Sequence, residues 1–335
     1  MLSHSTKTQK PSISIALATF NGSRFISAQI NSIKKQTLLP DQLVICDDHS
    51  SDDTIEKVRS LTTDIPFKVD IYSNSTNMGY TSNFEKTISY CSGEFIFLCD
   101  QDDVWDPMKI ETIINYFYAN PSKHVIIHDL EYCDESLHPI GQTKIQRIKH
   151  LGDLNKIYVT GMATAVRRSF LDLCLPIPKN EVVTHDFWIH ICANLLDVKM
   201  VVPDILALYR RHQHNATSSQ STNTPNKTSK LYFNKKYLSS PTKKSLQNNL
   251  IADDTLINWV MTNNKSIQKS NIISNEKLIY NINLLHKHRS WHENRLRILE
   301  MSHTKRFVPV LHQLLKGGYT QFSGIKSALK DILFN

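Results

Sequence analysis

Three carboxylates stand within four residues at Asp100, Asp102 and Asp103, directly after a strongly apolar run. The run, residues 95–99, reads FIFLC and is typical of a buried strand. Clustered carboxylates repel one another and need a compensating cation or a solvated turn. Their oxygens suit a hard divalent ion, Mg²⁺ or Mn²⁺, that can neutralise a diphosphate. The motif therefore predicts such a metal site or, as the alternative, an acidic turn after an ordinary strand.

Two other apolar runs also end in polar turns. Residues 13–18 run into Thr19, Phe20 and Asn21, and residues 43–46 run into Asp47 and Asp48. Strand and helix patterns alternate from residue 13 to residue 98, which predicts a mostly parallel sheet flanked by helices, an α/β fold. Right-handed crossovers would bring all three turns to one sheet edge, where ligands of open α/β sheets bind.

Composition and missing motifs narrow the class of protein. The 335 residues are 40% hydrophobic and 21% charged, which is ordinary for a globular chain, and no apolar run has the length of a membrane span. Neither GxGxxG nor GxxxxGK[ST] occurs, which argues against a dinucleotide oxidoreductase and a P-loop NTPase. The six cysteines form no CxxC pair, so we expect buried reduced thiols in a cytosolic protein.

The pattern divides the chain into three parts. Residues 1–11 are predicted to be a disordered polar tail without the apolar core of a signal peptide. Residues 12–217 carry the α/β pattern, with further strands expected at 125–127 and 158–166 and a helix opening near residue 184. Residues 218–335 form a basic, mainly helical extension, and from residue 216 onward 18 Lys and Arg face 6 Asp and Glu. This excess predicts contact with an anionic surface.

Residues 12–217 resemble the family 2 inverting glycosyltransferases, which have the Rossmann-like GT-A fold. The motifs occur in the family's order, namely SIALATFN from residue 14, VICDDHSSDDT from 44, NMG from 77 with Asn83, FLCDQDDVW from 97, TG at 160, HDFW from 185 and YRRHQHNAT from 209. Within the family they are most similar to the rhamnosyltransferase-like branch that builds bacterial surface polysaccharides. The resemblance implies transfer of a sugar from a nucleotide diphosphate sugar to a hydroxyl of a saccharide acceptor, as in O-antigen or capsule synthesis.

The resemblance also implies roles for single residues on the donor side. Asp47 or Asp48 would accept from the ring N–H of the base, which favours a uracil or thymine nucleotide, and Asp100 would face the ribose. In the metal site Asp102 and His212 are the expected ligands, with Asp103 as a supporting carboxylate; for His212 a surface histidine without a ligand role is the alternative. The remaining residues expected along the nucleotide sugar are Thr19, Phe20, Asn21, Asn83, Arg210 and Arg211, of which one of the two arginines pairs with phosphate.

On the acceptor side the resemblance makes Asp186 the general base. A helix-capping role is the alternative for Asp186, because it stands where a helix begins. His185 and Trp188 are weaker expectations for acceptor contact, with packing as the alternative. The sequence departs from the family pattern at His49, where a small residue is usual, and at Phe187, where a second aromatic of another kind is usual. The QxxRW motif of processive synthases is absent, which predicts limited transfer.

The implied partners are a dTDP- or UDP-sugar donor, a saccharide acceptor carried on a lipid, and an anionic membrane surface, with no nucleic acid. The expected location is cytoplasmic and peripheral on the inner face of the plasma membrane. Two other classes stay open at this point. A nucleotidyltransferase also uses strand-end carboxylates and a metal, and a binding module could use the basic extension on membrane or nucleic acid.

Overall fold

The computed structural model describes residues 11–213, 215, 242–320 and 324–333. The described residues form two compact units, one from residues 11–177 with 184–215 and the other from 178–183 with 242–333. The expected tail, apart from Pro11, and the predicted boundary at residue 217 lie outside the described residues, so the three-part division stays a prediction. Among the described residues, no helix combines the length and the apolar character needed to cross a bilayer.

The first unit is built on one mixed sheet of eight strands in the order β3-β2-β1-β4-β7-β6-β8-β5. The strands are β1 (Ile13–Thr19), β2 (Gln42–Asp47), β3 (Lys68–Ser73), β4 (Phe95–Cys99), β5 (Val104–Trp105), β6 (Val125–Cys133), β7 (Thr164–Arg167) and β8 (Lys199–Arg210). Pairs β1–β2, β2–β3, β1–β4 and β6–β8 are parallel, whereas β7 runs antiparallel to β4 and β6, and β5 antiparallel to β8.

Helices cover this sheet as the alternating pattern predicts. They are α1 (Ile26–Lys34), α2 (Thr54–Leu61), α3 (Tyr80–Tyr90), α4 (Lys109–Ala119), α5 (Lys144–Ile148), α6 (Leu154–Ile157), α7 (Arg168–Cys174) and α8 (His185–Leu196). The apolar faces of α1 and α4 pack with the central strands in one core, in which β1, β2 and β4 are buried almost throughout. All six cysteines are buried, and none of them forms a disulfide.

The strand predicted over residues 158–166 is wrong in its first half. Tyr158 ends α6, and Gly161–Ala163 form a short 3-10 helix, so that β7 begins only at Thr164. The Tyr158 hydroxyl donates to the carbonyl oxygen of His128 at 2.7 Å, which anchors this irregular segment on β6. The segment has apolar and β-branched residues, but these residues pack in the interior and do not pair as a strand.

The second unit contains four helices, α9 (Thr242–Lys269), α10 (Asn275–Glu300), α11 (His303–Leu315) and α12 (Ile325–Leu333). Ser274 caps α10, since its side chain accepts from the backbone N–H of Lys277. Helices α11 and α12 pack together around Val310 and Ala328, with Ile298 of α10 and Tyr319 in the same apolar cluster. The helical character predicted for this part of the chain is confirmed for the described residues.

Candidate active site

The carboxyl ends of β1, β2 and β4 meet at one sheet edge, as the sequence predicts. Thr19 and Asp47 are paired in the β1–β2 register, and β4 lies on the other side of β1. The Thr19 hydroxyl donates to Asp47 Oδ1 at 2.8 Å, and Asp47 Oδ2 accepts from the backbone N–H of Ser50 at 2.8 Å. Asp47 is almost fully buried, so it holds the turn after β2 as well as lining this edge.

Asp48 joins two loops of the site. Its Oδ1 accepts from the backbone N–H of Met78 and from Asn74 Nδ2, both at 2.8 Å, and its Oδ2 accepts from Gly79 N–H at 2.9 Å. The next residue, His49, has φ 67°, in the left-handed region that favours glycine. A small residue, expected at this position from the resemblance, would adopt this conformation with less strain than His49.

Asn83, expected to contact the nucleotide, is buried beneath these turns. Its Nδ2 donates to the carbonyl oxygen of Cys46 at 2.9 Å, and its Oδ1 accepts from Asn74 Nδ2 at 3.0 Å. Its amide therefore links α3 to the end of β2. A direct contact between Asn83 and the nucleotide stays a prediction.

We expect Asp48→Asn to destabilise the first unit by about 2–3 kcal/mol. An amide at this position would turn its N–H₂ group toward backbone N–H groups that now donate to a carboxylate. Chemical denaturation of the wild type and the variant measures the difference in free energy of unfolding. Asp64→Asn, at an exposed position, is the matched control and should change the free energy little. Equal stability of Asp48→Asn and the wild type would contradict the structural part assigned to Asp48.

Gln101 has a function at this edge that the sequence reasoning missed. Its side-chain amide accepts from the backbone N–H of Phe20 at 2.8 Å and donates to the Phe20 carbonyl oxygen at 2.9 Å. The pair clamps the end of β1 to the acidic turn and leaves the Phe20 ring 45% exposed. Asn21 has φ 46°, and its Oδ1 accepts from Ser51 N–H at 2.8 Å. The available signal was the position of Gln101 inside the acidic motif.

The three carboxylates of the acidic turn are brought together tightly. Asp100, Asp102 and Asp103 each offer one oxygen, and these oxygens lie within 4.8 Å of one another. Burial and the Asp102 carboxylate raise the pKa of Asp100 to about 8, and the same two causes raise the pKa of Asp103 well above its ordinary range. Asp103 Oδ2 is buried without a hydrogen-bond partner among the described residues. Such a site lacks positive charge, and a divalent cation fits it.

A lysine lies beneath this cluster without neutralising it. Lys109, at the start of α4, is buried with its Nζ 3.7 Å from the centroid of the Trp105 ring. Its ammonium group donates to the carbonyl oxygen of Met162 at 2.7 Å. Burial lowers the pKa of Lys109 to about 7. This lysine therefore supplies at most part of the charge that three carboxylates require, and sequence reasoning assigned it no role.

His212 reaches the cluster from the far end of the sheet. Its Nε2 lies 2.8 Å from Asp102 Oδ2, and its ring packs on Phe25 with centroids 4.6 Å apart. Asn215 Nδ2 donates to the same Asp102 oxygen at 3.2 Å, and Asn215 Oδ1 accepts from His212 N–H at 2.7 Å. The structure thus brings together the two residues predicted as metal ligands, and adds Asn215, to which sequence reasoning gave no role.

The two adjacent arginines point in different directions. Arg210 is buried, with its guanidinium over the Phe25 ring, donating to the carbonyl oxygens of Asp102 and Glu135. Its backbone N–H donates to Asp103 Oδ1 at 2.9 Å. These contacts give Arg210 a supporting role for the acidic turn, and the pairing of Arg210 with phosphate stays a prediction.

Arg211 is the arginine that remains available for an anionic ligand. It is partly exposed, with its guanidinium carbon 5.5 Å from the centroid of the Tyr209 ring. Burial, together with the charges of Arg211 and Arg147, lowers the pKa of Lys144, while the Asp186 carboxylate raises it. Arg211, Arg147 and Asp186 therefore all affect the pKa of the same lysine.

Asp186 lies in the first turn of α8, with Thr184 as the capping residue. Asp186 Oδ1 accepts from the Thr184 hydroxyl at 2.6 Å and from the backbone N–H of Phe187 at 2.8 Å. Burial opposes ionisation, but the positive charge of a protonated His185 or His190 and these two donors outweigh it, so the pKa of Asp186 lies below its ordinary value. The Asp186 charge in turn helps to raise the pKa of Asp100. The predicted base and the acidic turn therefore share one electrostatic environment.

The two residues proposed for acceptor contact are placed differently. His185 is 5% exposed and stacks on Phe84 with centroids 3.9 Å apart, and both of its ring nitrogens lack a hydrogen-bond partner among the described residues. Burial lowers the pKa of His185, and the Asp186 carboxylate opposes this shift. Trp188 is fully buried, and its indole N–H donates to the carbonyl oxygen of Cys174 at 2.7 Å. The expectation that Trp188 stacks on a sugar is wrong, because the ring belongs to the core.

The mixed sheet with helices on it has the GT-A-like fold that the sequence predicts. The family model "Glycosyl transferase family 2" matches residues 14–173. This match to glycosyltransferase family 2, together with the glycosyltransferase relatives described next, supports an enzyme that transfers a glycosyl group.

Two relatives and one solved structure show the range of the similarity. The chain is 33% identical over 108 residues to the Escherichia coli UDP-Glc:alpha-D-GlcNAc-diphosphoundecaprenol beta-1,3-glucosyltransferase WfgD, covering 32% of this chain and 42% of WfgD. It is 23% identical over 215 residues to the Salmonella typhimurium O-antigen chain rhamnosyltransferase RfbN, covering 61% of this chain and 67% of RfbN. Staphylococcus aureus TarS 1-349 in complex with UDP-GlcNAc has a TM-score of 0.54 and 14% identity, covering 96% of this chain and 89% of TarS.

Proposed function

We propose that the enzyme moves a sugar from a nucleotide diphosphate sugar to a saccharide hydroxyl, with inversion and with help from a divalent ion. One observation carries the proposal: the carboxylate oxygens of Asp100, Asp102 and Asp103 lie within 4.8 Å of one another, with His212 Nε2 2.8 Å from Asp102 Oδ2. Asp186 is near enough for its charge to help to raise the pKa of Asp100. An inverting transfer needs a base for the acceptor hydroxyl and a separate means of stabilising the leaving diphosphate. The two sets of carboxylates offer these two functions in one place.

Asp102 and His212 are the residues that would hold Mg²⁺ or Mn²⁺, with Asp103 in support. The buried, unpartnered Asp103 Oδ2 and the closely spaced carboxylate oxygens fit such an ion. When bound, a divalent ion supplies charge stabilisation for the leaving diphosphate. Arg210 keeps the turn in shape through the Asp102 carbonyl oxygen.

The turns that follow β1, β2 and β4 bind the donor. The exposed Phe20 ring offers an apolar surface for the base, held in place by the Gln101 clamp. Asp47 or Asp48 accepts from the ring N–H of uracil or thymine, which favours a UDP- or dTDP-sugar, and Asp100 faces the ribose. Thr19 and Asn21 position this wall through their contacts with the turn after β2.

Asp186 takes the proton from the acceptor hydroxyl as the bond to the anomeric carbon forms. Its lowered pKa keeps it ionised at neutral pH, and the Thr184 and Phe187 donors fix its Oδ1. His185, stacked on Phe84, fixes the start of α8 next to Asp186. Arg211, near Lys144 and Arg147, offers charge to a phosphate of donor or acceptor.

The names of two relatives support a proposal for the acceptor class. The names of WfgD and RfbN place one on a diphosphoundecaprenol-linked sugar and the other on the O-antigen chain. We propose that this enzyme also acts in surface polysaccharide synthesis, on a lipid-linked saccharide, from a peripheral position on the inner face of the plasma membrane. RfbN favours rhamnose as the transferred sugar, with UDP-hexoses as the other donor class.

Identification of the released nucleotide tests this proposal. The purified enzyme is incubated with a panel of UDP- and dTDP-sugars, Mn²⁺ and a membrane lipid extract, and the nucleotide products are separated by chromatography. We expect a nucleoside diphosphate from one donor of the panel, because transfer breaks the bond between the sugar and the diphosphate. Release of pyrophosphate or a nucleoside monophosphate would identify a nucleotidyltransferase and contradict the proposal.

A further inference from the structure

Helices α11 and α12 pack against each other, and we call this pair of helices the hairpin. Its apolar residues face two ways. The inner residues Val310 and Ala328 are buried against Tyr319 and Ile298. The outer face of α11 nevertheless carries a second apolar row, in which Phe307 is 58% and Leu315 is 79% exposed. Apolar rows of this size on an exposed helix face mark contact surfaces.

The spacing of the exposed side chains gives each helix one outward stripe. In α11, residues 307, 311 and 315 follow an i, i+4, i+8 spacing and therefore lie on one face of the helix. In α12, Ile325, Leu329 and Leu333 repeat the same spacing, and all three are exposed. We call these two rows the outer stripes of the hairpin.

A buried polar network fixes which face of the hairpin points outward. Arg295 of α10 donates to Asp331 Oδ2 at 2.5 Å and to Oδ1 at 3.0 Å, and both side chains are buried. The Tyr319 hydroxyl donates to the same carboxylate at 2.9 Å. Arg306 donates to the carbonyl oxygens of Leu299 and Asp331 at 2.9 and 3.1 Å. Rotating either helix to bury its outer stripe would break these charged contacts, at a high cost in free energy.

The charge around the stripes has one sign. Lys305 and Lys316 are exposed at the two ends of α11, and Lys326 is exposed beside the stripe of α12. Asp331 is the sole acidic residue between 303 and 333, and it is buried in the network just described. The exposed surface of the described hairpin residues therefore carries lysines and no carboxylate. Amphipathic helices of this kind, apolar on one face and lysine-flanked, lie in the interface of anionic bilayers.

We propose that the outer stripes of the α11–α12 hairpin dock on an anionic lipid surface. The apolar side chains of the stripes enter the boundary between headgroups and acyl chains, and the lysines stay at the level of the lipid phosphates. The inference rests on the proposed function for its purpose, because a lipid-linked acceptor is presented at such a surface. Its structural basis is independent of the active site, since it uses residues of the second unit alone.

Vesicle sedimentation with the full chain tests this docking. Vesicles of phosphatidylglycerol and phosphatidylethanolamine are compared with vesicles of pure phosphatidylcholine, and we expect the wild type to bind the anionic vesicles preferentially. Leu311→Ser with Leu315→Ser should weaken partition on the order of 100-fold. Lys316→Gln with Lys326→Gln should weaken it about 30-fold and reduce its dependence on salt.

Two matched double variants in the same unit serve as controls. Met261→Ser with Ile279→Ser removes side chains that are 66% and 60% exposed on α9 and α10, and Lys265→Gln with Lys269→Gln removes the same charge from α9. Both controls should bind vesicles like the wild type. Wild-type partition in the leucine variant, or an equal loss in the controls, would overturn the proposal.

Two further readouts separate the remaining outcomes. Sedimentation velocity measures whether a second copy of the chain covers the stripes. A wild type that is oligomeric and does not bind vesicles, together with a monomeric leucine variant, would overturn the lipid proposal. Titration with UDP or dTDP asks about the active site, and donor binding should be equal in all four variants. A chain that binds vesicles but releases no nucleoside diphosphate would contradict the proposed function and leave the docking surface intact.

Discussion

Replacement of Asp186 by Asn should lower the rate of sugar transfer by about 10²–10⁴-fold, the range that a positioned general base supplies. The amide can still accept hydrogen bonds from Thr184 and Phe187, so the first turn of α8 should keep its shape. It cannot take a proton from the acceptor hydroxyl at neutral pH. Transfer is measured as release of nucleoside diphosphate in the presence of acceptor.

The pH dependence gives a second readout for Asp186. Its pKa lies below the ordinary value, so the carboxylate form prevails through the neutral range. Loss of the base by protonation should therefore reduce the rate only below about pH 4. Asp172→Asn, at an exposed position on α7, is the matched control and should leave the rate unchanged. Transfer by Asp186→Asn at the wild-type rate would contradict the base assignment.

Removal of the divalent ion should have an effect of similar size. We expect EDTA to arrest transfer and Mn²⁺ or Mg²⁺ to restore it, because three closely spaced carboxylates cannot remain ionised beside a diphosphate without a cation. Asp102→Asn should slow transfer by at least about 10²-fold, corresponding to several kcal/mol of charge stabilisation. Added metal should not rescue this variant at concentrations that saturate the wild type.

The control for the metal prediction is Asp53→Asn, which removes an exposed carboxylate at the start of α2. Its rate and its response to metal should match those of the wild type. Undiminished turnover in chelator would show that the acidic turn is not a metal site. In that case Asp100, Asp102 and Asp103 would form only the acidic turn that the sequence left open as the alternative.

Local patterns predicted the part of the fold that carries the donor side of the site. The apolar runs of β1, β2 and β4 and the helices between them define a parallel core, and parallel strands must end at the same edge. That reasoning correctly placed Thr19 beside Asp47, with the strand that leads into the acidic turn on the other side of β1. The antiparallel strands were harder to predict. β5 has two residues and β7 has four, too short for a periodic signal.

The direction of single side chains depends on partners that are distant in sequence. Arg210 turns inward because the Glu135 carbonyl oxygen and the Phe25 ring receive its guanidinium. Gln101 clamps Phe20 from 81 positions away in the chain. Trp188 and Arg210 have residue types that suit a binding site, and only the packing around them shows that they support the site from within. Residue type and spacing could therefore identify the site, but not all of its members.

The division of labour between Asp102 and Asp186 is the central claim, and donor binding tests it most directly. Isothermal titration of the donor nucleotide in the presence of Mn²⁺ is carried out on the wild type, Asp102→Asn and Asp186→Asn. We expect Asp186→Asn to bind the nucleotide like the wild type, whereas Asp102→Asn should lose the gain in affinity that Mn²⁺ confers. Equal, metal-dependent binding by Asp102→Asn, or loss of binding in Asp186→Asn, would contradict it.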